Sequence, residues 1–424
     1  MTTGIRTPNG PIEPVDDRWS DLREGVDPGS TLPRLCYAAA HVVMKPSYAG
    51  VEHSIDAPGT PDEIAEHLDW DATVAIRRGI GDTGMGIAEA MDTAQRFNLG
   101  WTAARRLIEL TGSIGLEAGF CAGASTDHLE KADTTSRLVD GVVEQIDVIR
   151  KAGGVPVILP MPRLCELGTD EDGYVEVYGD IARAAGDGPL IVHWLGPMFL
   201  PSLEGYFPGD SFLRIMRHDP DRYRAAKLSM LDHDLEVRLR RDLLERDQLM
   251  LTGDDFHFGA LIAGATEGIA PVERTIEFDG RTVGLGDFSH ALLGILDAIA
   301  DPAALALRRL GLGDRAGYDR IMLPCERLGQ EIFKEPTRFY KSGLAFLAWI
   351  DGRQDNPMLV NHEETKRTRD DVFEVLRLAN EAGALRDPAV VSQRLRRLTG
   401  VHDEGLARLA RGAAGIRVGR RRDE

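Results

Sequence analysis

Short, continuous apolar runs recur along the chain and alternate with longer segments in which apolar positions follow a helical spacing. The clearest runs are LCYAAAHVV (35–43), LEAGFCAGA (116–124), GVPVILPM (154–161), PLIVHWL (189–195), RAAKLSML (224–231) and QLMLTG (248–253). Runs of this kind are typical of strands buried on both faces of a parallel sheet. Weaker candidates near 80–88, and near 267–270 or 283–289, bring the predicted number of strands close to eight.

The segments between these runs have the apolar spacing of helices that pack on a sheet. They predict helices near 62–78, 135–152, 171–185 and 233–247. Helices that alternate with buried parallel strands favour an α/β fold, and the number of strands favours a (β/α)8 TIM barrel over residues 31–300. An open, doubly wound sheet is the alternative.

The two ends of the chain differ from this central pattern. Residues 1–30 hold many Pro, Gly and Asp residues without a sustained period, which predicts an extended N-terminal arm. Residues 301–424 predict an α-helical C-terminal region, packed on the barrel or on a neighbouring subunit. Its helices are expected at 301–313, 315–334, 337–351, 368–382 and 387–411.

Two stretches interrupt the alternation inside the predicted barrel. Residues 196–222 form a long connection that is rich in aromatic residues and Pro, and loops of this kind often border an active site. Residues 271–287 predict a hairpin that turns at Asp279-Gly280. Both stretches are candidate lids.

Composition and charge narrow the classes of partner. The 424 residues carry a formal net charge of −18, which opposes binding to nucleic acid or to an anionic membrane surface. No apolar run approaches the roughly 18 residues that span a bilayer, so we expect a cytoplasmic protein without membrane partners. The four cysteines are isolated, which favours reduced thiols over disulfides or a zinc site.

Polar residues that follow the apolar runs are the candidates for chemistry, because functional side chains of a barrel lie at the C-terminal ends of its strands. Each of them could instead cap the helix that follows. The candidates for catalysis are Lys227, His193 and Glu89. Those for substrate binding are His41, Asp92, Thr126, Asp127, Arg163, Asp254, Asp255 and His290.

Lys227 is the most informative of these residues. The chain has only seven lysines, and Lys227 lies in the apolar run AAKLSML, whereas the other six have polar or helical surroundings that need no explanation. Burial lowers the pKa of an amine and leaves it free to attack a carbonyl and form a Schiff base. The alternative is a lysine that reaches solvent or pairs with Asp254.

The histidines and aspartates leave two chemistries open. His193 and the Asp254-Asp255 pair, with His41 or His257, could bind a divalent metal, as in metal-dependent sugar isomerases. Alternatively, His193 transfers protons beside a Schiff base, while the aspartates hold substrate hydroxyls or cap a helix. No H-E-x-x-H or C-x-x-C motif is present, so neither a metal nor another cofactor is predicted.

Four segments, taken together, resemble the dihydrodipicolinate synthase and N-acetylneuraminate lyase family of class I aldolases. They are CAGASTDHL (121–129), IVHWLGP (191–197), RAAKLSMLD (224–232) and MLTGDDFHF (250–258). Further segments, among them TRFYKSGLAFLAWI, resemble a bacterial branch that is labelled only "dihydrodipicolinate synthase family protein". The resemblance implies a TIM barrel, a Schiff base at Lys227 and a homodimer or homotetramer.

The chain also departs from that family. The family's proton-relay tyrosine follows a Thr-Pro pair, but this chain has Pro160, Met161, Pro162 and Arg163 there. The family's GTTGE signature, which grips the pyruvate carboxylate, has no match, and GMGIAEAMD (84–92) occupies its place. We therefore expect a polyol or keto-sugar substrate rather than a 2-keto acid.

The predicted function is a Schiff-base lyase or aldolase, breaking a carbon–carbon or carbon–oxygen bond of a small carbonyl compound. Lys227 forms the imine and His193 or Glu89 moves the proton. The residues expected to hold hydroxyls are Asp254, Asp255, Thr126, Asp127 and Arg163. The alternatives are a metal-dependent sugar isomerase or epimerase and a non-catalytic carbohydrate-binding barrel.

Overall fold

The computed structural model describes residues 5–7, 10–12, 14–15, 17–129, 134–265 and 267–399. An N-terminal hairpin of β1 (Ile5–Thr7) and β2 (Gly10–Ile12) precedes a closed barrel of eight parallel strands. The strands that follow are β3 (Cys36–Ala39), β4 (Gly86–Glu89), β5 (Phe120–Ala124), β6 (Val155–Ile158), β7 (Leu190–Leu195), β8 (Tyr223–Ser229), β9 (Leu249–Thr252), β10 (Arg274–Phe278), β11 (Arg281–Leu285) and β12 (His290–Leu293). The barrel order is β12-β3-β4-β5-β6-β7-β8-β9, which confirms the predicted (β/α)8 TIM barrel.

Helices follow the barrel strands and continue beyond the last of them. They are α1 (Ser20–Arg23), α2 (Pro61–Glu66), α3 (Trp70–Gly81), α4 (Arg96–Gly112), α5 (Thr135–Lys151), α6 (Pro162–Glu166), α7 (Glu171–Ala184), α8 (Ser211–His218), α9 (His233–Leu244), α10 (Phe258–Ala263), α11 (Leu296–Gly311), α12 (Arg315–Ile332), α13 (Lys341–Ile350), α14 (Arg369–Ala382) and α15 (Pro388–Thr399). No described helix is long and apolar enough to cross a membrane.

The eighth barrel strand lies later in the chain than the sequence predicts. It is β12, from the short SHALLG segment, rather than a strand near 267–270 or 283–289. The run that suggested 283–289 belongs largely to β11, which pairs with β10 in a separate two-stranded sheet. Two adjacent apolar segments were thus candidates for the eighth barrel strand, and the apolar pattern alone does not distinguish a barrel strand from a strand of the separate hairpin.

The predicted hairpin around Asp279-Gly280 is confirmed, but its role as a lid over the C-terminal mouth is wrong. Phe278, Val283 and Leu285 pack with Tyr37 of β3 in the core cluster that fills the barrel interior. The Arg281 guanidinium donates a hydrogen bond to the Tyr37 hydroxyl. These contacts lie at the N-terminal ends of the strands, so the hairpin closes the floor of the barrel.

The C-terminal helices pack on the barrel and on one another. Helix α11 lies against β3 and α12, and it spans residue 300, where the sequence predicts the end of the barrel. The turn that begins α13 lies above the C-terminal ends of the strands, where the ring of Phe199 meets the ring of Tyr340 edge-on at 5.9 Å. At the other end, the Trp19 indole donates a hydrogen bond to the Ala382 carbonyl, which ties the N-terminal segment to α14.

Candidate active site

Lys227 lies inside the barrel, near the C-terminal end of β8. Its neighbours in register are His193 on β7 and Leu251 on β9. Side chains alternate between the two faces of a strand, and Ala225, two residues earlier, belongs to the interior cluster. Lys227 therefore points inward, and only 7% of it is exposed.

A glycine immediately after the next strand leaves room for this side chain. A Cβ atom at Gly253 would lie 2.9 Å from Lys227 Cε and 2.2 Å from the Ser229 hydroxyl oxygen. Real Cβ atoms do not approach other atoms so closely, and any larger residue at 253 would displace the lysine. The glycine of the LTGDD segment is thus explained by the lysine across from it.

The surroundings of the Lys227 amine lower its pKa. Burial lowers its pKa from 10.5 to about 8, and the nearby Asp255, Cys121 and Asp92 oppose that effect only in part. Among the described residues, none forms a hydrogen bond with this amine. A buried amine without an acceptor and with a lowered pKa is the form that attacks carbonyl carbons.

Asp255 is the carboxylate that acts most strongly on Lys227. Its Oδ1 accepts a hydrogen bond from the Ile295 N–H at 2.9 Å, in the turn after β12. Burial raises its pKa to about 7, against the opposing effects of that N–H group and of Lys227. Burial thus disfavours the charged form of each group, whereas their mutual attraction favours it.

His193 stands beside Lys227 on the adjacent strand. Its Nε2 lies 3.2 Å from the Ser229 hydroxyl, while its Nδ1 is buried without a hydrogen-bond partner. Burial, with a smaller effect from Lys227, holds its pKa well below the usual value, so the ring is neutral. An unpaired buried nitrogen is costly, and a bound molecule could satisfy it.

A second buried lysine faces this group from the C-terminal region. Lys341, the first residue of α13, lies 3.3 Å from Asp92 Oδ2 and 3.4 Å from Glu363 Oε1. Its amine also donates to the Arg338 carbonyl at 2.8 Å. Burial would lower the pKa of Lys341, but Asp92 and Glu363 together raise it. Lys341 is thus a fixed cation, in contrast to Lys227.

Backbone strain is concentrated near these residues. Ala90 and Gln95, on either side of Asp92, have positive φ values of 51° and 54°. Asn361 and His362, immediately before Glu363, have φ values of 57° and 50°. Such conformations are unfavourable for residues other than glycine and tend to persist where function requires them.

One protein family matches most of the chain. The family model described as "Protein of unknown function (DUF993)" matches residues 19–403. The chain belongs to this family. None of the curated proteins matches it.

Solved structures show the fold that this DUF993 member shares with other proteins. It is similar to dihydrodipicolinate synthase from Oceanobacillus iheyensis, with 12% identity and a TM-score of 0.56 over 82% of this chain and 97% of that one. It is also similar to dihydrodipicolinate synthase from Rhodopseudomonas palustris, with 13% identity and a TM-score of 0.54 over 83% of this chain and 99% of that one. It is similar as well to N-acetylneuraminate lyase from Mycoplasma synoviae, with 10% identity and a TM-score of 0.53 over 82% of this chain and 98% of that one. At such identities the likeness shows the fold alone.

Four of the residues predicted from the sequence come together in this DUF993 barrel. Lys227 interacts electrostatically with Asp255 and Asp92, and His193 interacts with Lys227. These residues lie on or just after four different strands, so only the closed barrel brings them together. Their roles in catalysis and binding stay predictions.

Glu89 and Asp127 are instead engaged in the wall between the strands and the helices. Glu89 is fully buried and accepts hydrogen bonds from the Arg77 guanidinium at 2.7 and 3.0 Å, and from the Thr111 hydroxyl at 2.6 Å. Asp127 binds Arg96 through two hydrogen bonds of 2.8 Å. Ion pairs with this geometry are typical of structural supports.

His41 and Asp254 lie close to the barrel mouth but are bonded to other parts of the chain. His41 Nδ1 contacts Asp297 Oδ2 at 2.5 Å, and its Nε2 contacts the Gln354 amide oxygen at 2.7 Å. Asp254 accepts hydrogen bonds from the backbone N–H groups of residues 256 and 257, and so it caps the turn before α10. The capping role is one of the two that the sequence left open.

Thr126, Arg163 and His290 occupy the edges of the barrel. Thr126 lies in the loop after β5 and is partly exposed. Arg163 forms an ion pair with Glu166 at 2.7 Å, and 39% of its side chain is exposed. His290 begins β12 and contacts the Gly284 carbonyl of the floor hairpin. None of the three has a described contact with Lys227.

The ligand set for a predicted alternative, the metal-dependent isomerase, does not assemble. Within the described ranges, no group of three or more His, Cys, Asp and Glu side chains is arranged to hold a metal ion. His41 is already bonded on both ring nitrogens, and His257 contacts Asp254 at 2.9 Å in a helix cap. Both histidines are therefore engaged by other side chains of the protein.

The sequence missed the contribution of the C-terminal region. Lys341 is only 4% exposed, so the prediction that six of the seven lysines need no explanation is wrong for this one. Tyr340 and Glu363 are buried in the same place. One signal was present, since a lysine followed by the apolar sequence SGLAFLAWI has nowhere polar to lie along its own helix.

Proposed function

We propose that this protein is a lyase or aldolase that forms a Schiff base between Lys227 and a neutral hydroxy-carbonyl compound, such as a keto-sugar. The observation that carries the proposal is the buried amine of Lys227, which has a lowered pKa and no described hydrogen-bond partner. The fold shared with dihydrodipicolinate synthase and N-acetylneuraminate lyase is consistent with it.

The first steps follow from the groups around the amine. Neutral Lys227 attacks the carbonyl carbon, and the resulting carbinolamine loses its oxygen as water to give an iminium ion. Asp255 accepts the proton that the Lys227 ammonium group loses before the attack, and a second proton moves from the attacking nitrogen to the carbonyl oxygen. Asp255 then returns its proton to the resulting hydroxyl, which leaves as water. The iminium then accepts the electron pair of the neighbouring bond when that bond breaks.

The charges near Lys227 favour a neutral substrate. Asp255 and Asp92 both act on the amine, and a donor with its own carboxylate would be repelled by them. His193 Nδ1 is a buried polar atom without a hydrogen-bond partner, and it suits a hydroxyl group. Every residue named here comes from one chain, so the proposal does not depend on the predicted homodimer or homotetramer.

Reductive trapping tests the proposal. The protein is incubated with cyanoborohydride and, separately, dihydroxyacetone, D-fructose, 4-hydroxy-2-butanone or pyruvate, and the adducts are mapped by peptide mass spectrometry. We expect an adduct on Lys227 with the neutral compounds, and none at this position in Lys227→Met. Lys341 is the internal control, because it is equally buried but clamped by carboxylates.

Two results would contradict different parts of the proposal. The absence of a Lys227 adduct with all four compounds, or preferential labelling of Lys341, would overturn the Schiff base. Faster trapping with pyruvate than with the neutral compounds would leave the Schiff base in place and overturn the substrate class.

A further inference from the structure

Tyr340 brings a buried phenol to the mouth of the barrel from the C-terminal region. The residue is 3% exposed, and its hydroxyl lies 2.8 Å from the Thr93 hydroxyl, just after β4. Its ring stacks on Phe333 at 4.3 Å. A Cβ atom at Gly294 would lie 3.3 Å from the edge of the Tyr340 ring, so the glycine after β12 allows the ring to approach the strand ends.

This phenol belongs to a connected group of polar side chains. Asp92 lies beside the Tyr340 hydroxyl and interacts with it. The same carboxylate contacts the Lys341 amine, which lies 4.5 Å from the centre of the Tyr340 ring. Glu363 follows on the far side of Lys341. The group therefore joins a proton donor, Tyr340, to a proton acceptor, Asp92, beside a fixed positive charge.

The barrel order places this group across the mouth from the nucleophile. Strand β4, which leads into Asp92 and Thr93, is separated from β8 by three strands in either direction around the barrel. The Asp92 carboxylate is nevertheless one of the charges that act on the Lys227 amine, so both groups face the same space inside the mouth.

We infer that Tyr340 is the catalytic group that removes the proton from the substrate hydroxyl two carbons away from the iminium carbon, with Asp92 as its partner. The inference rests on the proposed function and adds a residue and a substrate feature to it. The hydroxyl gives its proton to Tyr340 Oη as the Tyr340 proton moves to the Asp92 carboxylate. The bond between the α- and β-carbons breaks, the β-carbon becomes an aldehyde, and the electron pair converts the iminium into an enamine.

The surrounding residues fit these roles. Tyr340 stays protonated in the resting state, because burial and the negative charge of Asp92 raise its pKa well above the usual value. It can therefore accept a proton only while it passes its own to Asp92. Lys341 keeps its charge and steadies the negative charge of Asp92 before the transfer. The hydrogen bond of 2.8 Å between the Thr93 and Tyr340 hydroxyls fixes the position of the phenol oxygen.

The smallest probe with the required groups is 4-hydroxy-2-butanone, which would be cleaved to acetone and formaldehyde. Two quantities are measured for each variant: cyanoborohydride trapping at Lys227 and the rate of formaldehyde release. For Tyr340→Phe we expect trapping within about twofold of wild type and release at least about 100-fold slower, the usual scale of acid–base catalysis. Asp92→Asn should slow release to a similar extent, and its trapping should equal or exceed that of wild type, because the lost carboxylate also raises the pKa of Lys227.

Tyr318→Phe is the matched control. Tyr318 is also a fully buried tyrosine, but its hydroxyl donates to the Gly259 carbonyl outside the mouth. We expect this variant to keep both trapping and release. Thr93→Val, which leaves the Tyr340 ring and its packing in place, should slow release about tenfold without reducing trapping.

The two readouts separate failure of this inference from failure of the proposed function. Loss of trapping in wild type would overturn both. Trapping in wild type without formaldehyde release, or unchanged release in Tyr340→Phe, would overturn the role of Tyr340 and leave the imine standing. Loss of trapping in Tyr340→Phe would also overturn it, since a structural support rather than a proton-transfer group would then have been removed.

Discussion

The pH dependence of Lys227 reactivity can be worked out from its surroundings. With a pKa of about 8, about 9% of the amine is neutral at pH 7, whereas an amine with the ordinary value of 10.5 is only about 0.03% neutral. The neutral form is the nucleophile, so Lys227 should react about 300-fold faster at pH 7 than an unperturbed lysine with equal access. The advantage disappears above about pH 10, where ordinary lysines also lose their protons.

Asp255→Asn tests the cause of this value. The Asp255 carboxylate favours the charged form of Lys227 and thereby holds its pKa up against burial. Removing that charge should lower the pKa of Lys227 further, by about one unit, which is the low end of the effect of a nearby opposite charge. The midpoint of reactivity should therefore move to lower pH, although the variant removes an acidic group.

Reductive methylation with low concentrations of formaldehyde and cyanoborohydride measures this at every lysine at once. The rate at each site is read by peptide mass spectrometry from about pH 6 to pH 10, and Lys227 is normalised to the exposed Lys151 to remove the pH dependence of the reagents. Lys341, whose pKa is raised by Asp92 and Glu363, should stay unreactive across the range. A Lys227 midpoint equal to that of Lys151, or an upward shift in Asp255→Asn, would refute the reasoning.

Two further predictions concern packing and the barrel wall. Gly253→Ala should lower the free energy of unfolding by about 1–3 kcal/mol and reduce trapping at Lys227 at least tenfold, because the new Cβ lies 2.9 Å from the lysine side chain. Urea unfolding and trapping of this variant are compared with those of Gly50→Ala, whose new Cβ meets no atom within 4 Å. Equal behaviour of the two variants would contradict the steric reasoning. Arg77→Met should cost about 3–5 kcal/mol near neutral pH by leaving the buried Glu89 carboxylate without its cation. In the wild type Arg77 lowers the pKa of Glu89 below its usual value of 4.5 despite burial, so this stabilisation is complete at both pH 5 and pH 7 and is lost only at lower pH. Without Arg77, burial should raise the pKa of Glu89, so the carboxylate of the variant takes up a proton as pH falls and the deficit should be smaller at pH 5 than at pH 7 in urea unfolding.

The sequence pattern was sufficient for most of the barrel because its strands are buried on both faces. Continuous apolar runs mark β3 and β5 to β9, and each is bounded by polar or glycine-rich turns. The pattern was insufficient for β12, a four-residue strand that follows directly on the floor hairpin. The hairpin strands also carry buried apolar residues, because Val283 and Leu285 pack into the N-terminal end of the barrel interior. Their sequence pattern therefore resembles that of a barrel strand.

The candidate site could be predicted only in part, because the register of each strand decides which side chains point into the barrel and which point toward the helices. Glu89 and Asp92 are three residues apart after the same weak run, and either could have faced the interior. In the fold, Glu89 points between the strands and the helices, where Arg77 binds it, whereas Asp92 reaches the mouth. Lys227 was predictable from its own neighbours, because a lysine in an apolar strand is unusual wherever it points.

Most of the C-terminal contribution could not be predicted from local sequence. Lys341 carries a local signal, the apolar segment that follows it, but Tyr340 and Glu363 have ordinary surroundings in the sequence. The three residues become informative as a group only when the turn before α13 and the strained segment near Glu363 meet above the barrel. No spacing in the chain connects them with Asp92, which lies far earlier. Long-range placement of this kind requires the tertiary structure.

The order of these parts along the chain sets when reactivity can appear during synthesis. The last barrel strand ends at Leu293, and Lys227 can already be enclosed by its eight strands when Tyr340, Lys341 and Glu363 are still inside the ribosome. A nascent chain at that stage has an amine but not the opposite wall of the mouth. During synthesis there is thus a period in which Lys227, the proposed nucleophile, could form an imine before the residues proposed for bond cleavage are in place.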